Sequence, residues 1–207
     1  MGNPAATTTR IKVSIVGPSG VGKTQLVHRH RYNTFCADHV PTVGIDYVSW
    51  TTPDCKLSLG VWDASGNSRF RSISCSYLKA AHALIFVFDL NRRDTLIDLD
   101  NFVTETEQLS SEARVRLLVG TKLDLGACAV SDSDIERFTQ RHRIDAFYPC
   151  SARTGTNVNL MFAGLVDRLS VPDDDKSTTT TTTNDQKIDV WAVIMSYVSS
   201  SCGGCVR

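Results

Sequence analysis

The 207-residue chain has no net charge, its 22 Lys and Arg balanced by 22 Asp and Glu. The basic residues are scattered and form no stripe or patch, which excludes a nucleic-acid groove. No apolar run is long enough to span a bilayer. The first ten residues are polar, with no apolar segment after a basic start, so no secretory leader is expected. Met1-Gly2 opens the chain, but Ala6 breaks the M-G-x-x-x-[ST] acylation pattern, and a disordered start over 1–9 is expected. Seven cysteines are an odd number, and Cys36, Cys55, Cys75, Cys128 and Cys150 are dispersed through the body of the chain. That argues against a disulfide framework and for a reduced, cytoplasmic setting. The five histidines fit no H-E-x-x-H or Cys/His ligand pattern and are expected to be exposed or packing residues.

What is present begins with Gly17-Pro18-Ser19-Gly20-Val21-Gly22-Lys23-Thr24, which reads G-x-x-x-x-G-K-T. Gly17, Gly20 and Gly22 let the backbone press against a ligand without Cβ clashes. The amide N–H groups of such a loop line an anion cradle closed by the following helix N-terminus. Lys23 is expected to reach the β- and γ-phosphates, and the Thr24 hydroxyl to take one Mg²⁺ position. Ile11–Val16 is apolar and β-branched, a buried strand feeding the loop, and Gln25–His30 continues as a helix.

Residues 32–44 are polar and turn-prone and predict a long, functional loop. Asp46–Thr52 and Lys56–Trp62 read as a hairpin across Pro53-Asp54, ending at Asp63-Ala64-Ser65-Gly66. An acidic residue at a strand end beside a glycine loop is well placed to address Mg²⁺. Ala83–Asp89 is an unbroken apolar run, a central strand buried on both faces. Asp94–Leu109 has helical spacing, Val115–Gly120 is a second buried strand, and Thr121-Lys122-Leu123-Asp124 follows it. Ser131–Arg141 predicts a helix capped by Ser131, with Asp134 three residues on. Asp145–Tyr148 is a short strand leading to Cys150-Ser151-Ala152-Arg153, and Asn157–Leu169 an amphipathic helix. Alternating strands and helices predict a doubly wound α/β fold, a mostly parallel sheet of about six strands with its site at the strands' C-terminal ends.

These motifs, in this order over about residues 10–170, resemble the Ras-superfamily small GTPases. Thr42–Tyr47, Trp62–Gly66 and Arg69–Ile73 look like the Rab branch. The spacing from Asp124 to Ser151 leaves no room for the extra helix of Rho proteins, and two cysteines near the C-terminus disfavour a Ran-like assignment. The resemblance implies that Gly17, Ser19, Gly20, Val21, Gly22, Lys23, Thr24 and Gln25 hold the phosphates of GTP or GDP. It implies that Thr24, Thr42 and Asp63 hold Mg²⁺, with Thr42 and Gly66 sensing the γ-phosphate, so that 33–46 and 63–78 are the two switches. It assigns the base to Phe35, Thr121, Lys122, Asp124, Ser151, Ala152 and Arg153. Asp124 pairs with guanine N1 and N2 hydrogens, Lys122 packs along the base, Phe35 covers its edge and the Ala152 N–H meets O6. Tyr47, Trp62 and Tyr77 match the aromatic trio that Rab proteins show to effectors. From the residues alone, a core aromatic is the lesser alternative for Phe35 and a helix cap the lesser alternative for Asp124, while the trio reads equally as core.

Four departures stand out. Thr121 replaces the Asn of N-K-x-D, Arg153 replaces Lys in S-A-K, and Pro18 removes one N–H from the loop rim. Asn67 stands where the family places the Gln that orients the attacking water, with Lys23, Thr42 and Gly66 as the other catalytic positions. Asn is one methylene shorter, so slow hydrolysis is expected, with an activating protein to supply the missing arginine.

From Val171 the composition changes, and 171–207 reads as a variable tail. Thr178–Thr183 is a flexible linker, and Ile188–Val198 an apolar segment suited to a groove on the domain, a membrane interface or a partner. Cys202-Gly203-Gly204-Cys205-Val206-Arg207 ends the sequence given. A redox pair or zinc site there lacks a helix N-terminus or further ligands. The Rab resemblance implies geranylgeranylation of both cysteines, although their spacing departs from the family's endings and no C-a-a-X box is present. The tail has no polybasic cluster, so stable anchoring to the cytosolic face of an endomembrane needs both lipids. The reading is a Rab-like GTPase of vesicle traffic, meeting exchange factor, activating protein and effectors through its switches. The alternative is a GTP-held, non-cycling scaffold that recruits effectors. A P-loop nucleoside kinase is disfavoured, because no lid arginines or second-substrate site accompany the loop.

Overall fold

The computed structural model describes residues 8–38, 40–54, 56–67, 71–110 and 113–171. The linker Thr178–Thr183, the segment Ile188–Val198, Cys202 and Cys205, the Met1-Gly2 start, His39 and Cys55 lie outside the described residues. Six strands form one sheet: β1 (Thr9–Val16), β2 (Ile45–Thr51), β3 (Leu57–Ala64), β4 (Ala83–Asp89), β5 (Val115–Thr121) and β6 (Ala146–Pro149). Their spatial order is β2-β3-β1-β4-β5-β6. All neighbours are parallel except β2 and β3, which form the expected antiparallel hairpin with Tyr47 opposite Trp62. β1 begins at Thr9, one residue before the expected domain start, where its N–H donates to the Lys56 carbonyl at 2.8 Å.

The helices are α1 (Lys23–Tyr32), α2 (Arg71–Leu78), α3 (Arg93–Thr106), α4 (Asp132–Arg141) and α5 (Val158–Ser170). β4 explains the two-layered core. Ala83, Ile85 and Val87 point to one face with Leu26, Met161, Phe162 and Leu165 of α1 and α5. Leu84, Phe86 and Phe88 point to the other with Leu96, Leu99, Ile135 and Phe138 of α3 and α4. A strand buried on both sides needs apolar residues at every position, hence the unbroken run. β2 is the sheet edge and is half exposed along its length.

Two elements differ from the sequence reading. α2 was not predicted, because Arg71–Leu78 is only about two turns long and rich in Ser, which favours caps and turns over helix interiors. The helix predicted to Leu109 stops at Thr106 and tightens into a 3₁₀ turn at Glu107–Ser110. Cys36 is exposed and Cys150 is buried, neither in a disulfide, and burial pushes the Cys150 thiol far above the usual range. His142 is buried against Asp100, its Nε2 2.6 Å from Oδ1, and His30 stacks on Phe162. No helix of the described residues is long and apolar enough to cross a membrane.

Ser131 caps α4 as expected: its Oγ accepts the Asp134 N–H at 3.2 Å and donates to Asp134 Oδ2 at 2.9 Å. The Asp134 carboxylate also takes the Arg93 fork from α3, Nε at 2.9 Å and Nη2 at 3.0 Å, and an Arg137 Nη2 bond. Hydrogen bonds from Arg93 and Ser131 hold this carboxyl well below the ordinary carboxylate range. Loss of a charged hydrogen-bond partner costs about 1.5–3 kcal/mol, so Asp134→Ala is expected to lower stability in urea unfolding at pH 7 by that amount. A depressed folded pKa stabilises above the unfolded value and loses that contribution as protons bind. The gap between wild type and variant should therefore shrink as pH falls below about 4.

Candidate nucleotide site

The C-terminal ends of β1, β3 and β5 surround a cleft of about 750 Å³, within the range of small-ligand sites. Its floor is the loop from Ser19 to Gly22. Gly22 has φ +97°, a left-handed value that opens α1 without a Cβ penalty. A Cβ at Gly17 would stand 2.1 Å from the Val87 carbonyl oxygen, so only glycine lets the loop lie on β4. Lys23 is buried, and its ammonium donates to the carbonyls of Gly17 at 2.9 Å and Pro18 at 3.0 Å. Burial lowers its pKa to about 8, against the raising effect of Asp63. A buried ammonium held only by carbonyls is matched to an anion.

The three residues expected at Mg²⁺ converge. Thr42 Oγ1 lies 2.9 Å from Thr24 Oγ1, and the Thr24 hydroxyl donates to Asp63 Oδ2. Asp63 is 2% exposed, and burial raises its pKa, opposed by the Thr24 bond and the Lys23 charge. Its other oxygen, Oδ1, is buried without a hydrogen-bond partner. An orphaned carboxylate oxygen beside two hydroxyls fits a hard divalent cation or its water shell, with phosphate oxygens completing the ligands. No cluster of three His, Cys, Asp or Glu exists among the described residues, so such an ion would depend on its phosphate partners.

The two loops around this cluster touch. The Ser65 N–H donates to the Gly44 carbonyl at 2.9 Å. A Cβ at Gly66 would stand 2.3 Å from the Pro18 carbonyl carbon, so the loop after β3 rests directly on the phosphate loop. Asn67 is exposed and lies on the wall of a neighbouring cavity of about 340 Å³, shared with Gly17 and with Asp98 and Phe102 of α3.

At the other end, Asp124 Oδ1 accepts the Ser151 hydroxyl at 2.6 Å, and Ser151 Oγ accepts the Thr154 N–H at 3.1 Å. Asp124 sits inside a short 3₁₀ turn, Leu123–Leu125, so it is not a helix cap. Lys122 has φ +58°, and its ammonium pairs with Asp89 at 2.8 Å. Thr121 Oγ1 lies 2.6 Å from the Val21 carbonyl and 2.9 Å from that of Phe88, so the residue replacing Asn still ties β5 to the phosphate loop. Phe35 is 39% exposed and lines the cleft, which excludes a core role. Gln25 also lines it, and its Oε1 accepts the Cys36 N–H at 3.0 Å.

Of the residues expected at the nucleotide, Gly17, Asp63 and Ser151 stand behind the cleft wall, and the remainder, Asn67 apart, line it. Cys36, Ala37, Pro41, Ser65 and Leu125 line it too; all but Leu125 lie in the loops expected to be switches, where sequence reasoning assigned no individual role to them. Tyr47, Trp62 and Tyr77 are brought together outside the cleft, with ring centroids 4.6 Å apart for Tyr47–Trp62 and 4.9 Å for Trp62–Tyr77. Tyr47 is 51% exposed, so the trio is a surface cluster across β2, β3 and α2 and not core.

The Ras family model matches residues 12–171. The chain is similar to Ras-related protein Rab-18 of Lymnaea stagnalis, 32% identical over 164 residues, covering 78% of this chain and 81% of that protein. It is 35% identical over 167 residues to Ras-related protein Rab-12 of Mus musculus, covering 79% and 69%. It is 33% identical over 164 residues to Ras-related protein Rab-18-B of Danio rerio, covering 78% and 80%. The six-stranded, mostly parallel sheet, the G-x-x-x-x-G-K-T loop at the end of its central strand and these similarities agree: the chain belongs to the Ras family, as a small GTPase of the Rab branch.

Proposed function

We propose that the chain is a GTP/GDP switch of intracellular vesicle traffic whose intrinsic hydrolysis is slowed by Asn67. Ras-family GTPases bind GTP or GDP with Mg²⁺. The observation that carries the reading here is one cleft with Lys23, Thr24, Thr42 and Asp63 at one end and Asp124, Ser151 and Ala152 at the other. In this reading Lys23 leaves the Gly17 and Pro18 carbonyls for the phosphates. Asp124, oriented by the Ser151 hydroxyl, accepts the guanine N–H groups. Thr24, Thr42 and Asp63 would hold Mg²⁺, which would neutralise phosphate charge when bound. Thr42 and the Gly66 N–H sense the γ-phosphate, and the Ser65–Gly44 bond makes the two loops respond together. Asn67 orients the attacking water, but its amide falls roughly 1.5 Å short of where Gln would place it. The cluster of exposed Tyr47 with half-buried Trp62 and Tyr77 offers effectors a surface. The Rab resemblance supports lipids on Cys202 and Cys205 as the membrane attachment.

Single-turnover hydrolysis of bound GTP should rise about ten- to a hundredfold in Asn67→Gln, since a displacement of about 1 Å costs on the order of 10² in rate. Equal rates in variant and wild type would remove the slow-hydrolysis reading. No turnover in either would favour the GTP-held scaffold. Gly66→Ala forces the loop after β3 off the Pro18 and Ser19 backbone. It should lower the same rate at least tenfold while GDP affinity is retained, checked by titration with fluorescent GDP. Replacing Cys202 and Cys205 together by Ser should move the protein from the membrane to the soluble fraction of cells.

A further inference from the structure

Arg29 lies on α1, one turn beyond Gln25 and on the same helix face. Its guanidinium makes four hydrogen bonds to two separate loops. Nε donates to the Ala152 carbonyl at 2.6 Å and Nη2 to the Arg153 carbonyl at 2.8 Å. Nη1 donates to the Asn33 carbonyl and to Asn33 Oδ1, both at 3.0 Å. The Asn33 N–H in turn donates to the Arg29 carbonyl at 3.0 Å, so Asn33, in a left-handed conformation at the end of α1, is tied to Arg29 from both sides.

These contacts join the loop that carries Ala152 to the first residue of the loop 33–44. Gln25 adds a second tie three residues on, through the Cys36 N–H. A guanidinium presents five donors in a fixed plane, so carbonyls bonded to it cannot shift independently. The peptide plane that gives Ala152 its N–H is followed by the Ala152 carbonyl that Arg29 holds.

We propose that Arg29 is a positioning residue that makes the base loop 151–155 and the loop 33–44 order and open as one unit. Displacing the loop 33–44, as an exchange factor must, then loosens the base contacts as well. The inference rests on the guanine-nucleotide reading of the cleft and adds to it a route for release.

The test compares wild type with Arg29→Met, which keeps an apolar stem beside Gly155, and with Arg29→Lys, a point charge that cannot span both loops. The expected result is GDP release about ten- to a hundredfold faster in Arg29→Met, with only partial rescue in Arg29→Lys. Amide hydrogen exchange should quicken in both 33–38 and 151–155 while β4 stays protected. Unchanged release, or faster exchange in only one of the two loops, would overturn the proposal. If Arg29→Met does not fold, the same two readouts on Arg29→Lys decide it. Exchange measured without added nucleotide separates the two ideas. A wild type that binds no guanine nucleotide defeats the site reading, while linked exchange of the two loops still supports the coupling.

Discussion

A buried ammonium in want of an anion governs the active end of this molecule. Lys23 is 6% exposed, surrounded by the carbonyls of its own loop, and its pKa is lowered by burial to about 8. Taking a charge out of water costs several kcal/mol unless a partner repays it. Asp63 is the nearest opposite charge, and its carboxylate is bonded to Thr24 on one oxygen and unpartnered on the other. Lys23 opens α1 directly after the phosphate loop and Asp63 lies near the end of β3, both buried, so neither charge is relieved by solvent. The arrangement suits a ligand that brings negative charge to the lysine and a cation to the carboxylate, and Mg²⁺-nucleotide brings both.

The surrounding loops are built on that pair. Thr42 reaches it from the loop after α1, and Gly66 lies against the phosphate loop from the other side. The Ser65–Gly44 backbone bond joins the two loops where they meet. Thr121 and Arg29 carry the connection to the base end, one through the Val21 carbonyl and the other through the Ala152 and Arg153 carbonyls. The phosphate loop and the far end of the cleft are therefore joined through side chains that reach the backbone oxygens of loops.

Much of this was legible in the sequence where a single physical rule dominated. The apolar run of β4 follows from burial on both faces, and the Ser131 cap of α4 from its orphan N–H groups. The glycine pattern announced the phosphate loop because Gly17 leaves no room for a Cβ and Gly20 and Gly22 take positive φ. α2 was hidden, since it is short and its serines favour caps and turns. The fate of Tyr47, Trp62 and Tyr77 was open because aromatic residues suit both core and exposed clusters, and only the β2–β3 register settled it. Arg29 gave no signal at all. A basic residue in the last turn of a helix is ordinary, and the partners that matter, Ala152 and Arg153, are more than a hundred residues away.

The central claim is that the cleft holds a guanine nucleotide with Mg²⁺, and the direct measurement is to release and identify the nucleotide carried by the purified protein. The account predicts GDP or GTP in near-equal amount to protein, lost when Mg²⁺ is chelated and regained on adding guanine but not adenine nucleotide. Protein that carries no guanine nucleotide, and takes up none with Mg²⁺ present, would contradict it.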